Sequence, residues 1–325
     1  MHCFDPQMIV NPKYTSKTEK GRRNLDIYRG LVGDPFAYPD DYQIIIPCGK
    51  CLGCLRDKAR SWRVRLLHEH MFGNHISCHC LTLTIAPEYY DQFKTRKDSA
   101  ARFREFIDRL RYYCVGRRCP KRFFISELGE EKSRLHFHGF IWDCPELNDQ
   151  IIARAWRYGF VCVRPLRSAR QLSYATKYIT KAEKAHVPML FVSPKLGEGY
   201  TRDKRWTDWH HAGNDDTNIN LCVRFDTFVY AMPRYYRDKI FTSAEISDFK
   251  VCLSKDDRSQ EYILGRRSYE DPLQYAKDRE RLFQTTLRSG KSISKKPYVE
   301  SLLSTLNPFT DSDLCFEFDN DLTPF

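Results

Sequence analysis

The chain has 325 residues, with 53 Lys and Arg against 42 Asp and Glu, a formal net charge of +11 and a sequence pI near 9.0. That length suffices for a true core in one elaborated domain or two small ones, and the basic excess suits a partner built of phosphates without proving one. No run of about 18 apolar residues occurs, so no membrane span is expected; the start lacks the basic-then-apolar pattern of a secretory signal, so the 13 cysteines are expected to be reduced thiols in a cytoplasm.

Residues 1–47 are polar and turn-rich apart from Gln43-Ile44-Ile45-Ile46, which predicts an irregular arm ending in a strand. Pro47-Cys48-Gly49-Lys50-Cys51-Leu52-Gly53-Cys54 follows. Three thiolates spaced Cys48-x-x-Cys51-x-x-Cys54 can cap a metal, with Cys78, His79 or Cys80 as the fourth ligand of a closed tetrahedral zinc site. The alternative is a tight glycine-containing turn with buried thiols. No second Cys-x-x-Cys knuckle and no Gly-x-x-x-x-Gly-Lys-Ser/Thr phosphate loop is present, so the chain is not expected to hydrolyse ATP.

A helix is predicted over 54–72, where Trp62, Val64, Leu66 and Leu67 alternate with Arg60, Arg63 and Arg65. A strand over 78–85 comes next, then a helix over 98–114 whose Phe103, Phe106, Ile107 and Leu110 form a core stripe. Strands over 122–127 and 134–142, joined by a short polar turn, predict an antiparallel hairpin. Strict alternation in Leu135-His136-Phe137-His138-Gly139-Phe140-Ile141 puts His136, His138 and Phe140 on one face and Leu135, Phe137 and Ile141 on the other. Two imidazoles rooted roughly 6 to 7 Å apart can then reach one divalent cation. A helix over 146–157 and a strand over 159–164 lead into a helix over 168–184. There Leu172, Ala175 and Ile179 make a buried stripe, with Tyr174 and Tyr178 one turn apart beside it. Lys177 and Lys181 each stand three positions after a tyrosine, where an ammonium would stabilise a phenolate or a phosphate.

Residues 194–220 read as a long loop containing Trp206, Trp209, His210 and His211, either a packing flap or a clamp on DNA. Residues 220–240 read as a strand pair or extended segment with Arg234 and Arg237 exposed, and Arg234-Tyr235-Tyr236-Arg237 interleaves cations with stacking rings in the manner that suits unpaired nucleic-acid strands. Tyr112 and Tyr113 beside Arg111 do the same. Residues 246–325 alternate charged, helix-like stretches with Ser- and Lys-rich linkers and end in an acidic piece over 311–321 that reads as disordered or as a host-protein contact.

The His-hydrophobic-His strand followed by a Tyr-x-x-Lys-Tyr helix resembles the HUH endonucleases that initiate rolling-circle DNA replication, in particular the Microviridae initiators of gokushovirus type. Leu81-Thr82-Leu83-Thr84, Ser126-Glu127-Leu128-Gly129-Glu130 and Met232-Pro233-Arg234-Tyr235-Tyr236 resemble further segments of that family in its order, over roughly residues 47–241. The resemblance implies an α+β fold with a ferredoxin-like antiparallel sheet, helices on one face and a metal on the open face. It divides the chain into an arm over 1–47, an endonuclease domain over 48–245 and a partly flexible C-terminal extension over 246–325. It implies that His136 and His138, with Glu127 or alternatively Glu130, hold Mg2+ or Mn2+, and that Tyr174 and Tyr178 attack the phosphodiester of a single-stranded DNA origin with Lys177 as electrostatic support. DNA contacts are expected from Arg234, Tyr235 and Arg237. Host helicase and polymerase are the implied partners, and the host bacterial cytoplasm the implied compartment. The competing expectations are a transposase or relaxase of the same superfamily and a non-catalytic zinc-containing nucleic-acid binder.

Overall fold

Period-two alternation of apolar side chains gives this chain a sheet buried on both faces, and helices supply the covering layers. The computed structural model describes residues 3–129, 135–180, 188–212, 219–225 and 228–255, with a few positions between 262 and 281. It comprises two units, Met1–Asp57 with Arg258–Phe325 and Lys58–Asp257.

In the first unit, β1 (Gln7–Val10) pairs antiparallel with a later strand in register from Gln7 opposite Ile46 to Val10 opposite Gln43. Between them runs α1 (Glu19–Val32), and then β2 (Gln43–Ile46). The irregular arm expected for residues 1–47 is therefore corrected to a strand pair and a 14-residue helix. The Thr18 hydroxyl accepts from the Gly21 amide at the helix start, and Gly33, at φ 74°, ends it by donating to the Arg29 carbonyl. Only Gly21 and Leu25 of α1 are buried, so it carries no apolar stripe to betray it. α2 (Leu52–Phe72) opens in this unit and continues into the second.

The second unit is built on five antiparallel strands. In chain order come β3 (Cys78–Thr84), α3 (Arg96–Leu110), β4 (Arg122–Leu128), β5 (Leu135–Trp142), α4 (Asp149–Trp156), β6 (Val161–Pro165), α5 (Ala169–Ala175) and β7 (Leu190–Val192). The sheet order is β6-β3-β5-β4-β7, which puts the histidine strand at its centre. This is the α+β class read from the sequence.

One face carries Leu81, Leu83, Phe124, Phe137 and Ile141, packed against Phe103, Phe106, Ile107 and Leu110 of α3 and Ile152, Ala155 and Trp156 of α4. Each such side chain contributes about 1.5–3 kcal/mol by leaving water. Gly139 lies on this face, where an added Cβ would sit inside the Phe124 ring, so no other residue lets β5 and β4 pack here. The opposite face is not open along its whole length, in contrast to the expectation of helices on one face only. Phe123, Ile125, Phe140 and Trp142 are covered there by Ala59 and Leu66 of α2 and by Leu172, Ala175, Tyr178 and Ile179. The reason lies in α2, whose residues face two ways: Val64 enters a third cluster with Tyr200, Val223, Tyr230 and Tyr236.

That third cluster orders what the sequence reads as a loop. A 3-10 helix (Glu198–Arg202) and α6 (Lys204–His211) fill residues 194–220 in part, because His210 is fully buried between the Tyr200 hydroxyl at 2.8 Å and the Asn220 carbonyl at 2.8 Å. Those contacts make it a packed element. β8 (Cys222–Phe225) and β9 (Phe228–Ala231) form a hairpin, but residues 234–240 are α7 (Arg234–Ile240) rather than extended chain, and α8 (Ser243–Lys255) follows. The expectation of wholly reduced thiols is corrected at one pair: Cys114 and Cys144 are disulfide-bonded, their Cα atoms brought to 4.7 Å beside the first-face core. No helix among the described residues is long and apolar enough to cross a membrane. The acidic stretch 311–321 lies outside the described residues.

Candidate active site

β5 is flanked by β3 and β4, so each of its histidines has two cross-strand neighbours on the same face. His136 lies opposite Glu127 and Thr84, and His138 opposite Ile125 and Thr82. The His138 ring is held at both nitrogens. Its Nδ1 shares a hydrogen bond of 3.2 Å with Thr82 Oγ1, and its Nε2 stands 3.2 Å from Glu127 Oε2. The two imidazole centroids are 6.3 Å apart. Thr82 thus orients a functional ring, a role the sequence motif Leu81-Thr82-Leu83-Thr84 does not by itself disclose.

The tyrosines arrive from across this face. Ser168 caps α5, its side chain accepting from the Arg170 amide, while Gln171 reaches back to the Ser168 amide. The helix expected over 168–184 is α-helical only to Ala175 and then tightens into a 3-10 turn (Thr176–Ile179). Tyr178 lies flat on His138, ring centroids 4.8 Å apart and planes within 11°. Tyr174 meets Tyr178 edge-on at 5.7 Å, and the exposed Lys177 ammonium is 5.5 Å from the Tyr174 ring centroid. Burial pushes the Tyr178 phenol well above its ordinary range, and the negative charge of Glu127 and the neighbouring Tyr174 push it further. Glu130, Arg134 and Lys181 lie outside the described residues.

The remaining candidates sit elsewhere. Arg234 is exposed and Arg237 half-buried, and both guanidinium groups are paired to Asp238, at 3.2 Å and 3.1 Å. Tyr235 is half-buried, with the Arg65 guanidinium 4.1 Å from its ring centroid and the Lys239 ammonium at 5.3 Å. Cys48, Cys51 and Cys54 do come together, but the fourth ligand is Cys3, not Cys78, His79 or Cys80. The sulfurs of Cys3, Cys48, Cys51 and Cys54 all lie within 4.8 Å of one another, and among the described residues they are the one group of three or more candidate ligands so disposed. Cys78 and Cys80 instead lie along β3 in the sheet.

The strands, the histidine pair and both tyrosines fall within residues 78–183, which match the family model for the replication-associated protein ORF2. Over nearly the whole length, the chain is 24% identical to the replication-associated protein ORF2 of Spiroplasma virus 4, the alignment covering 93% of each. No solved structure matches. The two likenesses support a viral replication initiator role.

Proposed function

We propose that this chain is an HUH-type endonuclease that starts rolling-circle replication by nicking a single-stranded DNA origin. The observation that carries this reading is the parallel stack of Tyr178 on His138, which brings a phenol and an imidazole–carboxylate pair onto one patch of sheet. A tyrosine oxygen attacks the scissile phosphorus, the bond from phosphorus to the 3′-oxygen breaks, and the products are a 5′-phosphotyrosine and a 3′-hydroxyl. The phenol proton is lost to a base and the departing 3′-oxygen gains one. The ester bond retained on tyrosine allows a later 3′-hydroxyl to rejoin a unit-length circle without a nucleotide cofactor.

The residues present suit a divalent cation. Two imidazoles and a carboxylate are a donor set for Mn2+ or Mg2+. The 3.2 Å between His138 Nε2 and Glu127 Oε2 is close to the roughly 3 Å expected of two ligands at right angles with bonds of about 2.1 Å. His136, opposite Glu127 in register, is the third donor. Once bound, such a cation would polarise the scissile phosphate. The chain's own groups do the rest: Thr82 fixes the His138 ring, the 3-10 turn presents Tyr178 and Tyr174 at one place, and Lys177 offers charge to the phosphate or phenolate. Two adjacent phenols permit alternation, one holding the old 5′ end while the other cuts the new one. Arg234 and Arg237 reach the DNA backbone by exchanging Asp238 for phosphate, while Tyr235 is retained for packing beneath Arg65.

The test is cleavage of a single-stranded oligonucleotide carrying the viral origin, with added Mn2+ or Mg2+. His136→Ala is expected to abolish cleavage and leave DNA binding near wild type, and the double change Tyr174→Phe with Tyr178→Phe to abolish the covalent adduct. Undiminished metal-free cleavage by His136→Ala would remove the cation from the account.

A further inference from the structure

We propose that Cys3, Cys48, Cys51 and Cys54 bind one Zn2+ ion that holds together the N-terminal unit, a site distinct from the histidine–tyrosine patch. The geometry is that of a thiolate cage rather than of a disulfide. Cys48 and Cys54 have their sulfurs 4.0 Å apart and Cys3 and Cys51 theirs 3.9 Å apart. A tetrahedron of sulfurs bound at about 2.3 Å has edges of about 3.8 Å, whereas a disulfide needs about 2.05 Å.

The backbone around the sulfurs supports the same reading. Amides of Phe4, Cys48, Lys50, Cys51 and Cys54 donate to cluster sulfurs over 3.2–3.5 Å, two of them, Lys50 and Cys51, to Cys48. Such donors favour thiolates over thiols. Gly49 at φ 74° allows the chain to turn so that these amides face Cys48. The ligand order also fits the fold. β1 and β2 pair antiparallel, which returns the chain to Cys3 just before Cys48, and the first turn of α2 delivers Cys54.

A second, independent observation is the lack of anything else to do the job. In residues 3–57 the buried hydrophobic side chains are Cys3, Phe4, Tyr14, Leu25 and Cys54, and the three apolar clusters of the described structure draw only on residues from Ala59 onward. A unit with so small a core needs a cross-link or a metal to stay folded. Zinc suits four sulfurs in a closed tetrahedral site with no redox chemistry required.

The experiment is elemental analysis of the purified full-length chain, followed by replacement with Co2+. Wild type is expected to hold one zinc per chain and, on cobalt exchange, to show the visible bands of a tetrahedral cobalt–thiolate centre. Cys3→Ser is expected to lose those bands and most of its zinc while the circular dichroism of the sheet unit persists. Cys78→Ser, at a free thiol outside the cluster, is expected to keep its full zinc and serves as the control for misfolding. Zinc near zero in wild type, iron in its place, or zinc kept by Cys3→Ser and lost by Cys78→Ser would each overturn the assignment.

Discussion

Residues 58–257 and residues 3–57 are held together by different forces. In the former, Trp142, Trp156, Phe106, Phe123, Phe124 and Phe137 are fully buried on two faces of one sheet. In the latter, two of the five buried hydrophobic side chains are cysteines of a four-sulfur group. Hydrophobic burial stabilises in proportion to area and is spread over many side chains, whereas a metal cross-link concentrates stability in four. The first kind of region tolerates a single lost contact partially; the second fails at once when its ion is removed. A site that must hold two imidazoles and two phenols in register is accordingly found on the region with the redundant core.

The largest expected effect follows from removing the metal. A strong chelator withdraws binding energy of about 10 kcal/mol, so amide exchange in β1 and β2 should accelerate to near the unfolded rate while β3, β4 and β5 stay protected. Uniform loss across both regions would break the contrast. Next comes Trp156→Ala, which removes a fully buried indole from the first-face core and should cost about 3–5 kcal/mol in urea denaturation of the sheet, with no change in zinc content. Glu69→Gln comes third. The Glu69 carboxylate is buried, 2.7 Å from His75 Nε2, and accepts from the Gly197 amide, and breaking that pair should cost about 3 kcal/mol.

Smallest is the pH dependence of the same network. Burial alone would lower the His75 pKa, but hydrogen bonds to Glu69 and Asp143 outweigh it and raise the value. Burial would raise that of Glu69, and His75 and the Gly197 amide reverse it to a lowered one. The His75 contribution is therefore complete below about pH 6.5 and is lost as the pH rises through its raised folded value. The Glu69 contribution is present above its unfolded value and is lost as the pH falls through the lowered one. Melting temperatures against pH should show a mid-range maximum that His75→Gln flattens; an unchanged profile would remove the network from the account.

The parts of the fold governed by a local period were legible in the sequence. The faces of β5 follow from strict alternation, and the α3 stripe of Phe103, Phe106, Ile107 and Leu110 from helical spacing. What depended on partners distant in the chain was not. Cys3 joins Cys48 only because β1 and β2 pair across the long intervening segment that holds α1. The two-sided burial of α2 and the capture of His210 by Tyr200 and Asn220 are likewise tertiary. In α1 the local signals existed, Thr18 as cap and Gly33 as stop, but the absence of an apolar stripe hid them. At the site, the His136–His138 face and the Tyr174–Tyr178 pair could be read, whereas the break into a 3-10 turn at Thr176 has no sequence signal of its own.

Mass spectrometry of the peptide left attached to nicked origin DNA tests the central claim most directly. Trypsin cleaves after Arg170, Lys177 and Lys181, so Tyr174 and Tyr178 fall on separate peptides and the adduct names its nucleophile. The account predicts a nucleotide bonded through 5′-phosphate to one or both of these peptides. Attachment to any other residue, or nicked DNA with no protein attached, would contradict it.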